Sequence, residues 1–520
     1  MVVEATRGSN KRAKILMLTN VEQGQSNVFL ATAHALLQAD RNVEVHFATF
    51  GGLEESVAAV SEYARRARPD AQPIVYHKIR GISMRKGIQA CVEDNKIPAR
   101  AGYFPESFST SLSFSTTKLA LRHSIPTFIP YTGEQLGEIV TSIIDIVQEV
   151  DADLVVVDAL MTAGLTALWH LKAKHILLSP NTIKDFAASA QPHGESFWKY
   201  PALFSGYPYP VPWHLIPLNV YFLFYMAYIW ITNRHRKETT KYLQDKMGVT
   251  LRTPIDLQKN RPEGLKIAVG FLPELDFQAI LPNHVLPCGL ILRSAPPIDE
   301  SDPELGKWLA KGPTVYINLG SLCQIDEQQT IEMARAIKAV IDKYQSTSTT
   351  STLQVLWKLK AHEGFNLQKD SKIKDIIGQE IDKDQVRIVD WVVAEPIAIL
   401  QTGHVVCSVH HGGANSFNEA VITATPQVVL PQWTDCYDFA QRVEMLGIGQ
   451  LGSKSTKPRW AAAELAQSLV HVIMGADCET IKKRSADLAR VCKGVGEGRE
   501  VAAKIILEEL SAANETSVSG

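Results

Sequence analysis

A repeated alternation of short apolar strands with amphipathic helices, present in both halves of the chain, most limits what it can fold into. The first half opens with the strand "KILMLTN", the loop "VEQGQS", the helical "NVFLATAHALLQA" and the strand "VEVHFAT", between residues 14 and 49. The theme returns as "EIVTSIIDIVQEV", "ADLVVVDAL", "MTAGLTALWHLKA" and "HILLSP". In the second half "TVYINLGS", a helix from Glu327 to Tyr344, "QVLWKLK", "VRIVDWV", "HVVCSV", a further helix and "QVVLPQW" follow the same order. Strands that are apolar along their length, rather than at every second residue, are buried on both faces. They belong in parallel sheets covered by helices on both sides. A chain of 520 residues is too long for one core. The expected class is therefore α/β, with two doubly wound, Rossmann-like domains facing each other across a central cleft.

The proline- and acid-rich "LPCGLILRSAPPIDESDPELG" marks the join between the domains. The expected division is a first domain at 1–285, a linker at 286–305, a second domain at 306–495, and a C-terminal helix with a polar tail at 496–520. The low-complexity "QSTSTTST" at 345–352 is expected to be a mobile loop. In folds of this class, ligands bind outside the carboxyl ends of the strands.

Charge excludes one class of partner. The 53 basic and 55 acidic side chains leave a formal charge of −2, against the basic face expected of a nucleic-acid binder. Seven scattered cysteines without a CxxC pair fit neither a zinc cluster nor a disulfide framework. They suit a reducing compartment, so a cytoplasmic location is expected. Near the N-terminus the apolar run is only "ILML", too short for a secretory leader. Residues 218–232 are nearly all apolar or aromatic, and Arg234, Arg236 and Lys237 follow. A bilayer span takes about twenty residues. Three readings stay open: a buried helix, which comes first, a helix lying in a membrane interface, and a true span. Peripheral membrane association is thus a candidate property.

The chemistry concentrates in "SVHHGGANSFNEA", residues 408 to 420. Its glycines fall at a strand-to-helix corner, where backbone can approach a ligand closely. A helix N-terminus there offers unpaired N–H groups and a positive dipole end to an anion. A turn that merely needs glycine is the plainer alternative. Gly320 and Ser321, ending "VYINLGS", repeat the arrangement. His411, with the N–H groups and side chains around Gly413, Asn415 and Ser416, suits a diphosphate, whereas His410 reads as the last residue of the strand. Trp391 offers a flat face to a base, and base–aromatic stacking contributes about 1–3 kcal/mol. Without its neighbours Trp391 would be read as core packing. Glu419 suits the paired hydroxyls of a ribose. The "DAD" at 151–153 resembles a metal-binding triplet but directly precedes a strand, so no metal is expected there.

In order and spacing, "DWV" at 390–392, "HHGGANSFNEA", "TATP" and "LPQWTDCYDFA" at 430–440 resemble the nucleotide-binding domain of family-1 UDP-sugar glycosyltransferases, most of all fungal members. The resemblance runs from about Gly320 to Ala440, and the first half follows in outline. It implies the GT-B fold and a UDP site at Gly320, Ser321, Trp391, Val392, His411, Gly413, Asn415, Ser416 and Glu419. It places the donor sugar at Asp435 and Cys436 and implies neither metal nor cofactor. The chain departs from the family at several positions. Cys436 and Ala394 stand where the family usually has Gln. The family's catalytic histidine, in the loop after the first strand, is replaced by Gln25, although Asp158 in "VVVDAL" matches its partner acid. A glutamine cannot take a proton at neutral pH. Glu22 in the same loop, or Asp158 directly, could serve as base. A solvated loop carboxylate remains the other reading of Glu22.

The implied activity is inverting transfer of a hexose, glucose or a related sugar, from a UDP-sugar to a hydroxyl of a small lipophilic acceptor. A secondary metabolite, a sterol or a lipid would qualify. "AGYFPESFSTSLSFSTTK" and the aromatic group of Trp198, Tyr200, Trp213 and Tyr221 suit such a partner. Two alternatives stay open. A UDP-sugar epimerase on this fold would need a second carboxylate cluster, and the sequence offers none beside Asp435. A nucleotide-sugar-binding partner subunit without a base is the other, and Gln25 favours it.

Overall fold

The computed structural model describes residues 12–100, 104–347, 351–360 and 371–518. Residues 101–103, at the head of the aromatic stretch, and 348–350, within the expected mobile loop, therefore lie outside the described residues.

Two parallel sheets form the frame. The first contains β1 (Ala13–Leu18), β2 (Val43–Thr49), β3 (Val75–Lys78), β6 (Leu154–Asp158), β7 (His175–Ser179), β8 (Ile267–Val269) and β9 (Val285–Pro287), in the order β3-β2-β1-β6-β7-β8-β9. A small antiparallel pair, β4 (Ala99–Arg100) and β5 (Phe104–Pro105), stands apart from it. The second sheet contains β10 (Thr314–Asn318), β11 (Gln354–Lys358), β12 (Val386–Val389), β13 (Val405–His410), β14 (Gln427–Val429) and β15 (Gly449–Leu451), in the order β12-β11-β10-β13-β14-β15. In each sheet the strand order reverses beside the first strand, between β1 and β6 and between β10 and β13. Such a switch opens a crevice at the carboxyl ends of the strands. Continuous apolarity makes these strands what they are: every residue of β6 and of β10 is buried.

Several expectations need correction. The helix after β1 runs Gln23–Ala39, so it starts inside the expected loop. Glu22 is its N-cap, with φ −64° and ψ 127°, and the Gln25 and Ser26 N–H groups bond to the Glu22 carbonyl at 2.9 and 3.0 Å. Gly24 and Gln25 therefore lie in a helical first turn. At the other end, the helix Gly498–Val518 returns to the first domain, where Ala502, Ala503, Ile506 and Leu510 are buried with Ile15, Phe29 and Val43. The expected polar tail is thus helical as far as Val518. The apolar stretch at 218–232 forms the helix Ile216–Thr232 and is not the buried helix first expected. Only Asn219, Phe222 and Ile229 are buried, while Phe224 and Tyr228 are 62 % exposed.

The domains are locked by charge as well as by apolar contact. Arg442, on the second-domain helix Cys436–Leu446, is wholly buried. It donates to Asp276 Oδ1 of the first domain through Nε at 3.0 Å and through Nη2 at 2.5 Å, and to Thr182 Oγ1 at 3.0 Å. Its guanidinium lies 4.2 Å from the Phe277 ring centroid. Lys184 Nζ reaches Asp438 Oδ2 across the same seam at 2.6 Å. Removing one partner of a buried pair leaves an uncompensated charge, which costs about 3–5 kcal/mol. Arg442→Ala should lose that much stability in urea unfolding. Lys482→Ala, whose partner Glu479 is 80 % exposed, should change it by about 0–1 kcal/mol.

Candidate active site

The switch points of the two sheets face one cavity of about 400 Å³ between the domains. Its second-domain wall is the glycine corner. β13 ends at His410, which is buried and donates from Nε2 to Gln427 Oε1 at 2.8 Å while its Nδ1 accepts the Gly412 N–H at 3.1 Å. Burial drives its pKa down to about 4, so it is a neutral packing residue, as its place at the strand end suggests. His411 is different. It lines the cavity, its Nδ1 is buried without a partner, and burial holds it neutral, with a pKa down at about 3.

Glycine is needed around that ring. A Cβ on Gly413 would lie 2.3 Å from His411 Nε2, and one on Gly320, where φ is +82°, would lie 2.9 Å from Cε1. Gly413 is also the N-cap of the helix Ala414–Ile422 and brings no capping side chain. The first-turn N–H groups therefore remain for a ligand, and Ala414, Asn415 and Ser416 all line the cavity. Asn415 Nδ2 also meets the Gln23 carbonyl of the opposite wall at 3.5 Å. Beside Gly320, its N–H donates to Asn318 Oδ1 at 3.1 Å, and Asn318 Nδ2 donates to the Tyr316 hydroxyl at 2.9 Å. The Ser321 carbonyl is held by Lys360 Nζ at 2.7 Å.

Trp391 is 62 % exposed at the cavity, which excludes the core-packing reading. The Lys358 ammonium lies 4.0 Å from its ring centroid, and Val392 lines the cavity beside it. Glu419 lines the same end, and its carboxyl has neither hydrogen bond nor ion pair among the described residues. Burial, with the Glu395 charge second, pushes it up to about 8. Asp435, the expected sugar-binding residue, accepts from Thr434 Oγ1 at 2.7 Å, and burial raises its pKa, with Asp185 adding to the rise. Cys436 is only 1 % exposed, so its thiol offers the cavity almost no surface.

A second carboxylate near Asp435, which the sequence did not reveal, comes from the short helix Ile183–Ala187 that follows β7. Asp185 lines the cavity, but its Oδ2 accepts the Thr182 N–H at 3.1 Å and its Oδ1 pairs with Lys184 at 3.0 Å. Its oxygens are committed to structure. Trp433, Asn318 and Lys358 are further wall residues that the sequence reading did not single out. Trp433 stood within a quoted motif; its ring centroid lies 5.5 Å from that of His411.

The first-domain wall carries Glu22, Gly24 and Gln25. Glu22 Oε1 accepts the Arg85 N–H at 2.8 Å, while Oε2 is buried without a partner. Burial raises its pKa despite that hydrogen bond, so Glu22 is not a solvated loop carboxylate. Gln25 is buried and its Oε1 is unpaired. Asp158 is wholly buried, accepts from the Leu160 N–H at 2.8 Å and from Thr19 Oγ1 at 3.4 Å, and is pushed up to about 7 by burial. Among the described residues no hydrogen bond joins it to Gln25. Leu160, not Asp158, reaches the cavity, so direct action of Asp158 on a substrate does not fit this arrangement.

Among the described residues no three His, Cys, Asp or Glu side chains converge as metal ligands. In the "DAD" triplet Asp153 Oδ2 accepts the Lys14 N–H at 2.8 Å, and Asp151 caps a helix C-terminus with φ +50°.

Two substitutions test the nucleotide end. Glu419→Ala should weaken UDP binding by about 1.5–3 kcal/mol, roughly ten- to hundredfold in Kd by calorimetry. Gly413→Ala, whose methyl displaces the His411 ring, should also weaken UDP binding while leaving the thermal unfolding midpoint nearly unchanged.

Comparison with known proteins agrees with this geometry. The family model described as erythromycin biosynthesis protein CIII-like, C-terminal domain, matches residues 374–507. Glycosyltransferase sdnJ of Sordaria araneosa is 32 % identical over 451 residues, 85 % of this chain and 84 % of that protein. UDP-glycosyltransferase 84B1 of Arabidopsis thaliana is 27 % identical over 199 residues, 37 % of this chain and 40 % of its own. A solved UDP-glucosyltransferase from Polygonum tinctorium, capable of glucosylating indoxyl, superposes with a TM-score of 0.60 over 97 % of this chain and 100 % of its own. At 15 % identity that likeness speaks for the fold alone. The sdnJ match covers most of both proteins, and the chain belongs to the family-1 UDP-glycosyltransferases, enzymes of the GT-B fold.

Proposed function

We propose that this enzyme moves a hexose from a UDP-sugar to a hydroxyl of a small lipophilic acceptor, with inversion and with Glu22 as the general base. The observation that carries the reading is Glu22, which lines the cavity opposite the glycine corner with a pKa raised by burial and with a buried Oε2 free of any hydrogen bond. In this reading uracil stacks on Trp391, Glu419 accepts from the ribose hydroxyls, and the diphosphate meets His411 and the N–H groups at Gly413–Ser416. Asp435 holds a sugar hydroxyl. The acceptor oxygen attacks the anomeric carbon as the bond to the diphosphate oxygen breaks. The acceptor proton passes to Glu22, and the electron pair leaves with UDP. Attack from the face opposite the leaving group inverts the centre.

Charge grows on the diphosphate during this step, and preorganised N–H donors stabilise it as it develops. The reaction so written needs neither metal nor cofactor. A lipophilic acceptor is supported by Trp433 in the cavity wall, stacked on Phe104 at 5.2 Å between centroids and continuous with the aromatic cluster of Phe108 and Phe204. The seven free cysteines, six of them buried, support a cytoplasmic location. The epimerase alternative loses ground because Asp185 is bound to Lys184 and Thr182.

An acceptor-dependent UDP-release assay over several UDP-sugars and lipophilic alcohols tests the proposal. Glu22→Gln should lower kcat by about 10²–10⁴-fold with the UDP-sugar Kd unchanged. A base must be ionised to act, and burial raises the Glu22 pKa. The wild-type rate should therefore rise with pH along a limb above the ordinary carboxylate range, and Glu22→Gln should abolish that limb. Undiminished turnover in Glu22→Gln would remove Glu22 from the mechanism. Tight UDP-sugar binding with no release for any acceptor would favour the partner-subunit alternative.

A further inference from the structure

The helix Ile216–Thr232 presents an outward stripe of Pro217, Tyr221, Phe224, Tyr228 and Ile231, spaced by three and four residues and all exposed. A surface helix normally places polar side chains on that face. Ile231 is 64 % exposed, and Trp213, just before the helix, is 83 % exposed. Neighbouring elements enlarge the patch. Phe197 stacks on Phe224 with centroids 5.8 Å apart, and Phe114 lies 5.4 Å from Tyr221. From Trp213 to Asn233 there is no Asp or Glu.

We propose that this face docks the enzyme onto an anionic lipid bilayer, with the helix lying in the interface and not crossing it. The occupant is indicated by charge. Residues 234–241, directly after the stripe, carry Arg234, Arg236, Lys237 and Lys241 against the single acid Glu238. Lys118 sits over the Phe114, Tyr221 and Tyr225 rings on the other flank. An apolar face rich in aromatic residues and edged with cations fits the boundary between acyl chains and anionic headgroups.

By length and composition Trp213–Thr232 could cross a bilayer, but its inner face is fastened to the protein. Asn219, wholly buried, accepts the Ala202 N–H at 2.7 Å and donates to the carbonyls of Phe197 at 3.0 Å and Tyr200 at 2.9 Å. Phe222 and Ile229 pack into the cluster of Phe108, Phe204 and Tyr437, and Trp433 of the cleft rests against that cluster. A docked face would therefore stand directly behind the cleft. The inference rests on this surface and not on the identity of the acceptor.

Vesicle flotation of the full chain tests it without any assay of transfer. Phosphatidylcholine vesicles containing phosphatidylserine should carry the protein several-fold more than phosphatidylcholine alone, and added salt should reverse the gain. The triple variant Phe224→Ser, Tyr228→Ser, Ile231→Ser should lower partitioning by about tenfold or more, with the UDP Kd unchanged as proof of folding. Should that variant lose UDP binding, Arg234→Glu with Lys237→Glu serves instead and should abolish the phosphatidylserine dependence. Absence of flotation, or flotation indifferent to these changes, overturns the proposal. So does a concentration-dependent dimer in sedimentation that the triple variant dissolves while vesicles capture nothing, because a second copy would then be the occupant.

Discussion

The cleft exists in its present shape because Arg442 is buried between the domains. It extends from the helix whose N-terminus carries Asp435 and Cys436 to Asp276 and Thr182 of the first domain. Thr182 and Asp185 line the cavity that Asp435 also lines, so this contact sets how far apart the two walls stand beside Asp435. Phe271, Phe277 and Phe439 surround the guanidinium and exclude water. A buried ion pair adds little net stability compared with well-packed apolar residues, because desolvation offsets the attraction. What it supplies here is register, since Arg442 finds both Asp276 Oδ1 and Thr182 Oγ1 only with the two domains aligned.

Burial decides the charge state of the cleft. Glu419, Asp435 and Glu22 all have raised pKa values, and His411 is held neutral. A cleft of fully ionised carboxylates would repel a nucleotide diphosphate, whereas carboxyls pushed toward the neutral form repel it less. The attraction comes instead from N–H groups at the start of the helix Ala414–Ile422, which carry partial positive charge at fixed positions. Lys358, packed on Trp391, adds an ammonium to the same wall, although burial lowers its pKa. The donors are thus fixed in place before a ligand arrives, with little reorganisation left for the reaction itself.

Sequence revealed what depends on continuous local patterning. β2 occupies Val43–Thr49, the run of "VEVHFAT", because every residue but Glu44 is buried. The glycine corner was readable because strand, glycines and helix are contiguous. The start of the first helix was not: Gly24 in a first turn reads as loop, and Glu22 caps with its backbone carbonyl and not its side chain. Asp185 beside Asp435 was invisible because the Arg442–Asp276 contact, spanning 166 positions, creates that proximity. For residues 218–232 apolarity was plain, but composition cannot tell which stripe the rest of the chain covers. Asn219, the one strongly polar residue in that run, turned out to mark the inner face, since a buried amide requires hydrogen-bond partners.

The change at Gln25 follows the same electrostatic logic. Gln25 and Glu22 lie three positions apart, at the first turn and the cap of one helix, so the backbone carries both to the same wall. A carboxylate at a helix N-terminus is usually favoured in its ionised form. For Glu22 burial outweighs both that effect and the Arg85 N–H bond, leaving it a stronger base than an exposed carboxylate. The Glu22 charge in turn raises Asp158, already pushed up by burial beneath it. An ionised Glu22 adds only slightly to the bias of Asp158 toward its protonated form, burial being the main cause. Of the two acids, Glu22 is the one that lines the cleft, and its buried Oε2 has no hydrogen-bond partner. Asp158 does not line the cavity, where Leu160 stands instead, so under the proposed reading the work of the family's imidazole falls to Glu22.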